Sequence, residues 1–133
     1  MPVTSSAASR VVLFVEDDAD IRASTAESLE DEGFAVVGAE TVDEGLGCLR
    51  QGIDPAVILL DLMMPIRTGW DFRREQLADP ILREIPVVVV TASGVSAESL
   101  RQEMGQVELV PKPYTSRSLV QAIARALAAC GSK

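Results

Sequence analysis

Five short apolar runs, at residues 11–15, 34–39, 56–60, 86–90 and 107–110, constrain the fold of this chain more than any other feature. They are rich in Val, Ile and Leu, and most lack polar alternation. Strands buried on both faces of a parallel sheet have this composition, because helices cover each face and leave no side for water. Glu108 in the last run points to an edge strand or an exposed side chain.

Helical patterns fill the intervals. Residues 19–32 place Ile21, Thr25 and Leu29 at four-residue spacing, with Asp18 as the expected N-cap and Gly33 as the C-terminal stop. Thr41 and Glu44 form a candidate capping box for a helix carrying Leu46 and Leu49 and ended by Gly52. Gly45 and Gly47 lie inside that helix and should each weaken it by about 1 kcal/mol relative to Ala. Residues 69–78 and 96–104 read as two more helices. Thr115 or Ser116 can cap the last one, where Leu119, Ile123 and Leu127 form a stripe. Met63 and Met64 are expected to pack a loop, and Trp70 to pack the third helix against the sheet.

Strand and helix therefore alternate five times. Right-handed crossovers then give an α/β, doubly wound, five-stranded parallel sheet with helices on both faces. Two strand orders, the Rossmann and the flavodoxin-like, remain open at this point. In either, functional groups gather at the carboxyl ends of the strands. The expected layout is a flexible N-terminus at 1–9, one domain over 10–130 and a tail at 131–133 that reads as a natural end.

Composition narrows the function. The chain has 12 basic and 20 acidic residues, a net charge of -8, and no basic run, which argues against nucleic acid and against anionic membranes as partners. The absence of histidine excludes His-based zinc sites, Ser-His triads and His general bases. Cys48 and Cys130 form no close metal-ligand pair and read as reduced thiols of a cytoplasmic protein. The start lacks an apolar signal core, and no stretch approaches the ~20 apolar residues of a membrane span.

The strand ends carry the chemistry. Glu16, Asp17 and Asp18 follow the first run, and Asp61 follows the third. Thr91 follows the fourth, and Lys112 with Pro113 follows the fifth. The second run ends in no comparable group, as suits an edge. Crowded carboxylates repel one another, and a hard divalent cation relieves that repulsion. Mg²⁺ suits such a set because it prefers oxygen ligands. A nearby lysine adds a second positive centre, so the group can attract a phosphoryl moiety, and a carboxylate can accept it as an acyl phosphate. Taken singly, each residue has an ordinary role: Glu16 and Asp17 as solvated loop acids, Asp61 as a turn residue, Thr91 as a strand end, Lys112 as a surface charge. One site accounts for all of them together.

The segments Val15-Glu16-Asp17-Asp18, Leu60-Asp61-Leu62-Met63-Met64-Pro65, Val90-Thr91-Ala92-Ser93 and Pro111-Lys112-Pro113-Tyr114 resemble the four signature segments of response-regulator receiver domains. The resemblance covers roughly residues 10–129 and implies the flavodoxin-like strand order 2-1-3-4-5. It implies that Asp61 is the phosphoacceptor. Asp17 would bind Mg²⁺ directly and Glu16 through water, and the backbone carbonyl of Met63 would complete the metal site with Asp61. Thr91 and Lys112 would each meet a phosphoryl oxygen, and the Lys112–Pro113 peptide would be cis. The implied partner is a sensor histidine kinase or a histidine phosphotransfer protein, with signalling through protein–protein contacts in a two-component phosphorelay.

One departure concerns the switch. The family usually has Tyr or Phe three residues before the lysine, where rotation of the ring reports phosphorylation alongside Thr91. Leu109 stands there and offers neither hydroxyl nor ring. It leaves a second reading, a pseudo-receiver that docks partners without phosphorylation. Enzyme readings fare worse: there is no phosphate-binding or dinucleotide glycine loop. A phosphatase with a nucleophilic Asp would want an acid at position 63, where Met stands, and a flavin carrier would not place acids after its first strand. The expected activity is thus regulatory, limited to the domain's own phosphorylation and dephosphorylation.

Overall fold

Each apolar run forms a strand in the computed structural model, which describes residues 10–92 and 96–131. The strands are β1 (Val11–Val15), β2 (Ala35–Ala39), β3 (Val57–Asp61), β4 (Val87–Thr91) and β5 (Glu108–Pro111). The helices are α1 (Ala19–Asp31), α2 (Val42–Arg50), α3 (Gly69–Ala78), α4 (Ala97–Met104) and α5 (Ser116–Gly131), with a 3₁₀ turn at Leu82–Glu84. All pairings are parallel and the order is β2-β1-β3-β4-β5, so the sequence-based fold class and the 2-1-3-4-5 order hold. The N-terminal stretch 1–9 and the end of the tail lie outside the described residues, as does Ser93.

Burial follows position in the sheet. Every residue of β3 and β4 is buried, while the edge strands β2 and β5 are partly exposed. Alternate strand residues feed two apolar layers. Leu13, Val15, Ile58, Leu60 and Val89 meet Leu46, Phe72 and Leu100 on the side of α2, α3 and α4. Val12, Phe14, Leu59, Val88 and Val90 meet Leu29, Leu119 and Ile123 on the side of α1 and α5. Truncating a fully buried leucine such as Leu59 to alanine would cost about 2–5 kcal/mol.

The caps are largely those the sequence specifies. Asp18 accepts from the backbone N–H of Asp20 and Ile21, both at 3.0 Å. Thr41 accepts from Glu44 N–H, but the Glu44 carboxylate takes the N–H of Glu40 rather than that of Thr41, so the expected box is displaced by one residue. Thr115 is the cap of α5, exchanging hydrogen bonds with Ser118. Thr68 and Asp71 form a reciprocal box at α3 that the sequence reading did not single out.

Two expectations change, and a third, for Trp70, holds with an added contact. Gly45 is more than a weak point: a Cβ there would come within 2.9 Å of Val15 Cγ2 and 3.1 Å of Phe72, so glycine lets α2 lie close to the sheet. Met64 packs into the core, but Met63 is 64% exposed. Trp70 does rest half-buried against the first layer, yet its indole N–H donates to Glu103 at 2.6 Å and ties α3 to α4. Cys48 is a half-buried free thiol; the Cys130 side chain lies outside the described residues.

A buried polar group closes the end of the sheet remote from the acidic residues. Arg73 of α3 donates to the carbonyl of Met104 at 2.9 Å and to Gln76 at 2.8 Å, and Gln76 donates to the carbonyls of Leu82 and Ile85. The guanidinium thereby satisfies the last carbonyl of α4, where the helix dipole favours a cation.

Candidate functional site: an acidic pocket at the carboxyl rim

The ladders of β3 and β4 run one residue past their apolar runs. Asp61 is the last residue of β3, paired in register with Val90, and Thr91 is the last of β4, paired with Pro111. A ladder is a backbone arrangement, and a polar side chain does not end it. Both side chains are therefore held by buried strands, with residue exposures of 3% for Asp61 and 1% for Thr91.

Glu16 continues from β1 and is bonded through its N–H to the carbonyl of Ala39. Its side chain is buried, whereas Asp17 beside it is exposed. Carboxylate oxygens of Glu16, Asp17 and Asp61 lie within 4.8 Å of one another. Lys112 Nζ reaches Asp61 at 3.4 Å and Glu16 at 3.5 Å, and the Lys112 N–H donates to the carbonyl of Thr91 at 2.7 Å. The Lys112–Pro113 peptide is cis. Asp61 also accepts from the N–H of Met63 at 3.2 Å.

The electrostatics express this crowding. Burial, with the nearby Asp61, pushes the Glu16 carboxyl up to about 7, against the lowering effects of the Asp18 N–H and Lys112. Burial alone would lower Lys112, but the charges of Asp61 and Glu16 outweigh it and hold the ammonium above its ordinary value. The Thr91 hydroxyl is buried with no hydrogen-bond partner among the described residues. A buried hydroxyl left without a partner costs about 1–3 kcal/mol.

The site residues expected from the sequence, Glu16, Asp17, Asp61, Thr91 and Lys112, converge on one rim. Leu109 lies elsewhere, half-buried against the first apolar layer. Four further residues bear on the site in roles that the sequence reading did not assign. Arg22 donates to the carbonyl of Glu16 at 2.6 Å. Thr25 and Tyr114 join α1 to the segment after Lys112. Arg67 clamps the loop after Asp61. Thr25 with Tyr114 and Arg67 with Asp43 are joined across 89 and 24 residues, which no spacing rule reveals.

Residues 12–124 match the family model of the response regulator receiver domain. The chain belongs to that family. The receiver is 36% identical over 115 residues to the phosphate regulon transcriptional regulatory protein PhoB of Escherichia coli K12, covering 86% of this chain and 50% of that one. It is 35% identical over 113 residues to the transcriptional regulatory protein CpxR of the same organism, covering 84% and 47%. The receiver thus spans about half the length of these regulators. Among solved structures it is similar to the chemotaxis protein CheY4 of Vibrio cholerae, with a TM-score of 0.80 and 28% identity over 90% of this chain and 100% of that one. A receiver domain protein of Clostridium thermocellum is also 28% identical, with a TM-score of 0.78 over 88% and 93%. The phosphorylation-independent alternative gains no support, since the acids and the lysine converge instead of scattering. Among the described residues no helix is long and apolar enough to cross a membrane.

The pocket fits a Mg²⁺ ion by its donor chemistry. Its three acids offer only oxygen, with no nitrogen or thiolate ligand, and their mutual repulsion leaves a position that a hard cation relieves.

Proposed function

We propose that the receiver, over residues 10–130, takes a phosphoryl group onto Asp61 from a phosphohistidine of a sensor histidine kinase or histidine phosphotransfer protein. The supporting observation is the joint approach of Lys112 Nζ to Asp61 and Glu16 inside a cluster of three carboxylates. Glu16, Asp17, Asp61 and the Met63 carbonyl would hold Mg²⁺. Bound there, the ion would neutralise charge on the transferring phosphoryl group.

An Asp61 oxygen attacks phosphorus in line as the phosphorus–nitrogen bond to the donor imidazole breaks. The imidazole nitrogen keeps the electron pair and is protonated from solvent. Lys112 pairs with one phosphoryl oxygen, and Thr91 donates its unpartnered hydroxyl to another. Later attack by water returns Asp61 and inorganic phosphate, so the domain catalyses only its own phosphorylation and dephosphorylation.

Output passes to a protein partner in the cytoplasm, without direct nucleic-acid or membrane contact. Thr91 moves toward the phosphoryl group, while Leu109 fills the switch position without a ring, so the aromatic half of the family's switch takes no part.

Intact mass spectrometry after incubation with Mg²⁺ and acetyl phosphate, beside Asp61→Asn, tests the reading. A single phosphate adduct that requires Mg²⁺ and vanishes in the variant is expected. No adduct with acetyl phosphate or with phosphohistidine donors would overturn it.

A further inference from the structure

The loop joining β3 to α3 is bent against its own preference. Ile66 stands at φ 72, a region that β-branched residues avoid. The Arg67 N–H donates to the Pro65 carbonyl at 2.8 Å, closing a γ-turn around Ile66, and γ-turns with a positive central φ are strained. The Ile66 side chain is 99% exposed, so no packing of its own offsets the strain. The restraint comes from the next residue: the Arg67 guanidinium reaches Asp43 on α2 and Glu75 on α3 together. Glu75 is itself held by Arg50 at 3.1 Å. A single exposed ion pair contributes little, but this guanidinium is shared between carboxylates of two helices and is only 32% exposed.

We propose that Arg67 is a positioning residue: its clamp keeps the γ-turn closed and so fixes the Met63 carbonyl for Mg²⁺. The inference rests on the Mg²⁺ reading above. Charge and geometry act in opposite directions here. Removing a cation near a Mg²⁺ site strengthens metal binding by electrostatics alone, whereas releasing the clamp weakens it.

Calorimetric Mg²⁺ titration of the purified receiver, Arg67→Gln, Ile66→Gly and the double variant separates these effects. Arg67→Gln is expected to raise the Kd for Mg²⁺ about tenfold, at the low end of outer-shell substitutions at metal sites. In metal-free protein its residue-67 amide should exchange faster than in the wild type. Ile66→Gly in the Arg67→Gln background should recover most of the affinity, because glycine adopts φ 72 without strain. Unchanged or tighter Mg²⁺ binding by Arg67→Gln, or a double variant no better than Arg67→Gln, overturns the clamp. Absence of Mg²⁺ binding by the wild type overturns the metal reading and the clamp's role with it, an outcome visible in that protein alone.

Discussion

The hydroxyls of Thr25 and Tyr114 meet at 2.8 Å, joining α1 to the chain two residues beyond Lys112. Thr25 is buried on the inner face of its helix, and burial holds the Tyr114 phenol above its ordinary value. Tyr114→Phe strands the Thr25 hydroxyl and should cost about 1 kcal/mol, as should Thr25→Val. The double variant should lie closer to the wild type than the sum of the two, because both polar partners are gone. Urea denaturation of the four proteins measures this coupling.

Glu16 supplies a pH dependence of defined sign. Its folded carboxyl is raised from 4.5 to about 7, so between these values the folded state binds more protons than the unfolded chain. Its stabilising contribution is complete below about pH 4.5 and is lost as pH rises through about 7. Metal-free receiver should therefore lose stability across this window more steeply than Glu16→Gln, and Mg²⁺ should restore it at pH 8. Thermal melts from pH 5 to 8 provide the check; parallel profiles for the two proteins would contradict the assignment.

The two interior glycines of α2 should respond oppositely to alanine. At Gly45 the new methyl meets Val15 and Phe72, and overpacking of this kind costs about 1–3 kcal/mol. At Gly47 it meets open space, and the helix should gain about 0.5–1 kcal/mol. Denaturant midpoints of the two variants would decide the matter.

Lys112→Ala should slow phosphoryl uptake by at least about tenfold, as loss of a charged stabiliser of the transferring group does. Its partners Glu16 and Asp61 are 1% and 4% exposed, so the metal-free domain should also lose about 3 kcal/mol as their charges go uncompensated. Uptake at the wild-type rate, followed by intact mass, would remove Lys112 from the chemistry.

The legible part of this molecule is the part fixed by local chemistry. Runs of Val, Ile and Leu mark the strands, and Asp18 and Thr41 mark helix starts through their own backbone hydrogen bonds. The acids and Lys112 could be placed on one rim because parallel crossovers bring strand ends together. The illegible part depends on contacts between distant segments. Gly45 reads as a propensity defect until α2 is seen against Val15. Arg73 carries no signal in the sequence, yet it is 6% exposed because the Met104 carbonyl and the side chain of Gln76 receive it. The ladder ends were missed for a simpler reason: side-chain polarity changes at Asp61 and Thr91 before the backbone pairing stops.

That extra ladder residue has a mechanical consequence. Asp61 and Thr91 are mounted on the two strands that are buried throughout, so neither main chain has freedom to yield when bulk and charge are added at the rim. The sheet acts as a fixed abutment. Under the phosphorylation proposed above, displacement would be shed into the segments that leave it, and a partner would read a surface shaped where the chain departs from the sheet.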